Sequence, residues 1–242
     1  MKFGLFGSAK LRKIANDIDS SLSYNEWIDY NIEAEKLGFE STFTVEHHFT
    51  GLGQVSASLN LLTYLAAKTS KIKLGTAVLT LPWHNPVLLA EQVATMDLLS
   101  KGRIELGVGK GYRYNEFKGF KIDMKEASER FDESIDIMIK SWENKEKWSY
   151  SGKFWSFEDI VVEPSCHQSP HPTLWMAAGN HEAIKNVAKK NANLLLDQFS
   201  PLDEVIKRVQ VYKSELNKNK FNDDTHNRIA LARALYIAKR SE

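Results

Sequence analysis

A rhythm constrains this chain more than any single residue does. Short runs rich in Val, Ile, Leu and Phe alternate with longer segments of helical period, almost from end to end. The runs fall at 2–7, 41–47, 73–81, 103–109, 173–178, 193–199 and 228–237, with helical segments at 24–37, 57–69, 86–100, 125–143, 180–191 and 201–217. Runs that are apolar on both faces belong to parallel strands covered by helices, as in doubly wound sheets and (β/α) barrels. Strict alternation favours the barrel. The expectation is an α/β chain of the (β/α)8 TIM-barrel class, with residues 1–242 forming a single domain of about seven strands. A complete barrel takes about 250 residues or more, so the eighth strand and its helices are expected beyond residue 242, a shortened barrel being the alternative. Residues 145–172 carry alternating aromatics around a glycine and then prolines, which predicts a β-hairpin insertion before the fifth strand.

Composition narrows the function classes. With 242 residues, 43% of them hydrophobic, the chain can bury a sizeable core. Its 32 basic residues nearly cancel 31 acidic ones, and no long run of one sign occurs, so neither nucleic acid nor an anionic membrane is the expected partner. A single cysteine, Cys166, rules out an internal disulfide and fits a reducing compartment. The amino terminus is apolar for too few residues to be a signal peptide, and no stretch approaches the roughly 20 apolar residues of a membrane span. A cytoplasmic protein is the expectation.

In a barrel the chemistry gathers where strands end and βα loops begin. His47, Thr80, Lys110, Gly179 and Asp197 all fall near such ends. The stretch FTVEHHFTGLG, 43–53, places two consecutive histidines there. Neighbours on a strand point to opposite faces, so His47 and His48 cannot readily chelate one ion, and neither a helical H-E-x-x-H nor a cysteine pair is present. No metal is expected. One histidine should face a ligand while the other packs sideways, and an imidazole titrating near 6.5 suits proton transfer. LGVGKGYRY, 106–114, is neither a dinucleotide fingerprint nor a P-loop. It reads either as a tight turn or as amides that, with Lys110, receive an anion such as phosphate. Gly179 and Asn180 open a helix, either as an ordinary N-cap or as a phosphate site at its positive end. In TLPWHNPVLLAEQVATMDLLSKGR, 80–103, a helix is expected from Pro86 to a left-handed stop at Gly102, with a structural ion pair between Asp97 and Arg103 across the turn.

Four segments in this order, EHHFTGLG at 46–53, LGTAVLTLP at 74–82, HNPVLLAEQVATMDLLSKGRIELGVGKG at 84–111 and MAAGNHEAIKNVAKKNANLLL at 176–196, resemble the bacterial luciferase-like family of flavin-dependent monooxygenases. The resemblance covers essentially the whole chain. It implies reduced FMN at the barrel mouth, reacting with O2 to give a flavin hydroperoxide that oxidises a small, apolar organic substrate, with the protein orienting the cofactor and excluding water. His47 matches the family's catalytic histidine, Lys110 a basic position near the FMN phosphate, and Gly179–Asn180 the amides offered to that phosphate. Ala77–Val78 matches a non-prolyl cis peptide beneath the flavin ring. Phe6, Trp83, Tyr112 and Tyr114, with Phe117 and Phe120 nearby, read either as walls of an apolar substrate pocket or as plain packing.

Departures from the light-emitting α subunits argue against luminescence. Gly109 stands where they have a reactive cysteine, Lys110 where they have arginine, and Ala178–Gly179 where they have glutamate and serine. A lysine meets phosphate as a point charge, without arginine's bidentate fork. With no nicotinamide fingerprint present, a separate NAD(P)H-dependent flavin reductase is the implied partner, and a homodimer through the helices after the first three strands the implied assembly. A deazaflavin-dependent oxidoreductase of the same fold, a non-catalytic flavin-binding protein and, more remotely, a metal-dependent hydrolase are the alternative readings.

Overall fold

The computed structural model describes residues 1–9, 13–14, 17–18, 20–221 and 228–236, which divide into two compact units, Met1–Leu174 and Trp175–Glu242. The first unit begins with β1 (Gly4–Gly7), a small antiparallel pair β2 (Lys13–Ile14) and β3 (Asp17–Ile18), and α1 (Ser20–Lys36). It continues through β4 (Ser41–Thr44), α2 (Ser58–Lys68), β5 (Lys73–Thr76), β6 (Leu79–Thr80), α3 (Pro86–Ser100) and β7 (Ile104–Gly109). There follow α4 (Tyr114–Phe120), α5 (Ala127–Glu143), β8 (Trp148–Ser151) and β9 (Ser156–Ile160). Strand β10 (Thr173–Ala177) contains the division, and the second unit adds α6 (His181–Lys189), β11 (Asn193–Leu196), α7 (Leu202–Lys218) and β12 (Ile229–Leu231).

In the first unit β1, β4, β5 and β7 lie side by side, every pair parallel, and β6 also pairs with β7. Leu74, Ile104, Leu106 and Val108 on the strands and Leu62, Leu65, Val93 and Met138 on the helices are at most 0% exposed, so strands covered by helices make this core. In the second unit β10, β11 and β12 are likewise parallel. There Leu194, Ile184, Val187 and Leu216 are buried, and the Tyr212 hydroxyl donates to the Ala192 carbonyl at 2.7 Å.

Local signals set α3. Asn85 Oδ1 accepts from the Val87 and Leu88 amides at 3.0 and 3.1 Å, Pro86 occupies the first position, and Lys101 and Gly102 both turn left-handed, at φ 56° and 76°. Tertiary pins do the rest. Glu35 on α1 accepts the amides of Ser70, Lys71 and Ile72, fixing the approach to β5. Arg103 donates to the carbonyls of Ala66, Thr69 and Ile72. The expected Asp97–Arg103 pair does not form. Asp97 accepts instead from the Gln168 amide and side chain at 2.7 and 2.8 Å, because the chain after the hairpin folds back against α3.

The hairpin insertion is present as antiparallel β8 and β9. Strand ends differ from expectation: the 41–47 run stops at Thr44 and the 73–81 run breaks between Thr76 and Leu79. The 193–199 run stops at Leu196, where Asp197 accepts the Phe199 and Ser200 amides and turns the chain. The last run holds a strand only over Ile229–Leu231, and residue 237 lies outside the described residues. The aromatic stretch expected as loop contains the short helix α4. Among the described residues no helix is long and apolar enough to cross a membrane.

Candidate active site

Parallel pairing puts the carboxyl ends of β4, β5, β6 and β7 along one edge of the first unit's sheet, and the chain segments leaving that edge carry the reactive side chains. His47 leaves β4 and is anchored by its amide, which donates to the Val55 carbonyl at 2.9 Å. Beyond it the backbone turns left-handed at Phe49, Gly51 and Gly53, with φ of 54°, 67° and 60°. Residues 47–51, 53, 54 and 56 thereby enclose a cavity of about 280 Å³ open to solvent.

Two buried carboxylates face the paired histidines. Glu116 on α4, whose side chain is 3% exposed, stands 3.1 Å from His47 Nδ1 and accepts the His48 amide at 3.0 Å. Glu46 has no side-chain exposure, and its Oε1 meets His48 Nε2 at 2.7 Å, His84 Nε2 at 2.8 Å and Trp83 Nε1 at 3.1 Å. Its other oxygen accepts the Thr80 amide at 2.8 Å. Burial by itself would push the Glu46 carboxyl up, but the hydrogen bonds from His48, His84 and Thr80 outweigh it and hold it at about 2. For His47, burial lowers the ring below its ordinary range, the bond to Glu116 opposes that, and the charge of Arg113 adds to it. The net effect favours the neutral ring.

The two rings do part company, for a reason other than strand alternation. The strand has already ended at Thr44, and each histidine is drawn to its own carboxylate. Around His48 an aromatic shell closes: Phe120 lies edge-on at 4.9 Å and stacks on Trp83 at 5.2 Å, while Phe117 meets Trp83 at 5.3 Å. Trp83 is thus tied to Glu46 and Phe120. Of the other aromatics expected at the substrate pocket, Phe6 is 43% exposed on β1 while Tyr112 and Tyr114 are each 70% exposed. None of the four borders the cavity beside His47.

Ala77–Val78 is cis, between β5 and β6, with the Ala77 amide donating to the Thr44 carbonyl at 2.7 Å. A Cβ on Gly109 would meet Val78 Cγ2 at 2.7 Å, so the strand beside Val78 has no room for a side chain there. Of the three glycines in the LGVGKGYRY run, only Gly111 has a positive φ, at 77°. Lys110, between Gly109 and Gly111, is exposed; its Nζ donates to Ser128 Oγ at 3.1 Å and forms no ion pair among the described residues. In the second unit Asn180 is the N-cap of α6, its Oδ1 accepting the Ala183 amide at 2.9 Å, and Gly179 before it has open space where a Cβ would stand. Asp197 holds Ser200 and Arg208 rather than facing a ligand. No group of three His, Cys, Asp or Glu among the described residues could hold a metal ion.

Sequence reasoning gave no role to Glu46, Glu116 or His84. Glu46 stood in the quoted motif, and its signal was a carboxylate inside an otherwise apolar, β-branched run. Glu116, 69 positions from His47, offered only an acid among aromatics.

Parallel strands whose carboxyl-edge segments hold a half-buried histidine beside two buried carboxylates define a (β/α) protein with its chemistry at the strand ends. The chain belongs to the luciferase-like monooxygenase family, whose model matches residues 1–242. Among its relatives, the oxygenase component of the flavin-dependent trigonelline monooxygenase of Acinetobacter baylyi is 26% identical over 246 residues, covering 100% of this chain and 66% of that protein. An F420-dependent glucose-6-phosphate dehydrogenase of Segniliparus rotundus is 34% identical over 164 residues, 64% of this chain and 48% of that protein. The monooxygenase RslO1 from Streptomyces bottropensis superposes with a TM-score of 0.88 at 26% identity, over 96% of this chain and 70% of that one, so the fold is of the luciferase-like TIM-barrel type. The chain spans about half to two thirds of the length of the curated relatives it matches.

Proposed function

We propose that this chain is the oxygenase component of a flavin-dependent monooxygenase that uses reduced FMN, supplied by a separate reductase, and O2 to oxidise a small, apolar organic molecule. One observation carries the reading: a neutral, half-buried histidine with an orienting carboxylate borders an open cavity at the carboxyl edge of a parallel sheet. Family membership and the flavin-dependent relative support the cofactor. The donor set fits as well, since Lys110 with the Ser128 hydroxyl offers an unneutralised cation and a hydrogen-bond donor, the chemistry a flavin phosphate needs. Bound reduced flavin supplies the electrons that activate dioxygen.

The chain's own part is to hold, orient and shield. Lys110 and Ser128 bind the phosphate, His47 takes or returns a proton at the reacting centre, and the buried Glu46 cluster with its aromatic shell keeps the wall behind the histidines rigid and dry. A second copy is the proposed partner in solution: the groove between α2 and α3 exposes Leu88 and Leu99, 53% and 61% exposed, beside Leu59 and Met96.

The Segniliparus relative favours one competing reading, a deazaflavin-dependent hydride transfer without oxygen. Anaerobic titration with reduced FMN, then rapid mixing with oxygen while flavin absorbance is followed, separates the two. Saturable binding and a slowly decaying oxygenated species are the expected result. Failure to bind FMN together with binding of the deazaflavin would overturn it.

A further inference from the structure

We infer that the two consecutive histidines are held in opposite tautomers by two different carboxylates, and that Glu116 is the positioning residue that makes His47, and not His48, the proton-transferring member of the pair. An ionised carboxylate can only accept, so each ring nitrogen facing one must carry the hydrogen. Glu116 Oε1 lies 3.1 Å from His47 Nδ1, which assigns the proton to Nδ1 and leaves Nε2 bare. Among the described residues Nε2 has no partner, and His47 borders the cavity, so this nitrogen is the one free to accept a proton there.

His48 is wired the other way. Its Nε2 faces Glu46 Oε1 at 2.7 Å, so Nε2 bears the hydrogen, and His84 presents its Nε2 to the same oxygen at 2.8 Å. The ring is further fixed by Phe120 and Trp83, edge-on at 4.9 and 5.9 Å. Glu116 joins the two halves, because the oxygen that faces His47 Nδ1 also accepts the His48 backbone amide at 3.0 Å. One carboxylate therefore sets the His47 ring and the backbone step that separates the rings. Such an orienting carboxylate fixes the tautomer of the base and stabilises the imidazolium that forms when it takes a proton, as in catalytic triads.

The inference deepens the functional reading above, since it names what orients the proposed base, yet its test needs no flavin. The intact chain, labelled with 15N at histidine, is examined by long-range 15N–1H correlation at about pH 8, above the imidazole's ordinary range. The spectrum of His47→Gln assigns the His47 signals. Expected are a protonated Nδ1 and bare Nε2 for His47, against protonated Nε2 and bare Nδ1 for His48 and His84. In Glu116→Ala, His47 should invert toward the Nε2-protonated form that an unrestrained imidazole prefers, while His48 and His84 keep their patterns. Simple loss of packing would leave the His47 tautomer unchanged or move all three together. A wild-type His47 already protonated at Nε2, or a Glu116→Ala spectrum without inversion, overturns the inference. Should Glu116→Ala fail to fold, the wild-type spectrum alone decides. Failure of FMN to bind leaves this result untouched and sinks only the functional reading.

Discussion

Glutamine at position 46 would remove the charge around which three aromatic nitrogens are gathered. The Glu46 side chain has no solvent exposure and its carboxyl is held at about 2, against an ordinary 4.5. Such a depression corresponds to about 3 kcal/mol of folding stability, at about 1.4 kcal/mol per unit. Because the folded-state value lies below the unfolded one, the unfolded chain takes up its proton first as acid is added. The stabilisation is complete at neutrality, begins to fade near the unfolded value and is lost as the pH falls through the folded value; by about pH 3 some 2 kcal/mol of it is gone. Glu46→Gln keeps one acceptor oxygen but turns an NH2 toward groups that are themselves donors. Urea unfolding of both proteins at neutral, mildly acidic and strongly acidic pH reads the difference directly. We expect a gap of about 3 kcal/mol at neutrality that narrows by about 2 at pH 3. A gap independent of pH would refute the reasoning, since the histidines and indole would then be held by shape and not by charge.

His47→Ala should bind reduced flavin with little change yet lose about 10²-fold or more in substrate oxidation, the usual size of an acid–base contribution; unchanged turnover would remove His47 from the mechanism. Lys110→Ala should weaken flavin binding about tenfold, with a smaller salt dependence than wild type, while riboflavin, which lacks the phosphate, should bind both proteins equally. Gly109→Ala places a methyl 2.7 Å from Val78 Cγ2 and should cost about 1–3 kcal/mol in denaturation experiments. Tyr212→Phe removes the fully buried hydroxyl that donates to the Ala192 carbonyl at 2.7 Å and should cost about 1–2 kcal/mol in denaturation experiments.

What could be read from the sequence was local or periodic. The bounds of α3 were legible because Pro86 and Gly102 act on neighbours a few positions away, although the Asn85 cap itself was not read. The positions of the parallel strands were legible because burial on both faces leaves an unbroken apolar run, as in Ile104–Gly109. Where strands stop was not legible. Thr44 ends β4 although the pattern continues to residue 47, because the following side chains are claimed by Glu116 and Glu46 rather than by the sheet. The seven residues of α4 are too few to display a helical period. The strand-end position singled out the histidine pair, but the choice of His47 over His48 and the cis bond at Ala77–Val78 came through family resemblance alone. Asp97 and Arg103 mislead for the opposite reason: opposite charges near one turn suggest a pair, yet backbone carbonyls and Gln168 satisfy each better.

Trp83 has its indole nitrogen on Glu46 and its ring against Phe120. Excitation moves electron density in an indole away from its pyrrole end, so a negative charge beside that nitrogen stabilises the excited state and reddens the emission. With the other five of the six tryptophans replaced, Trp83 becomes an optical gauge of the charge behind the paired histidines: whatever neutralises or displaces that carboxylate should shift its fluorescence to the blue.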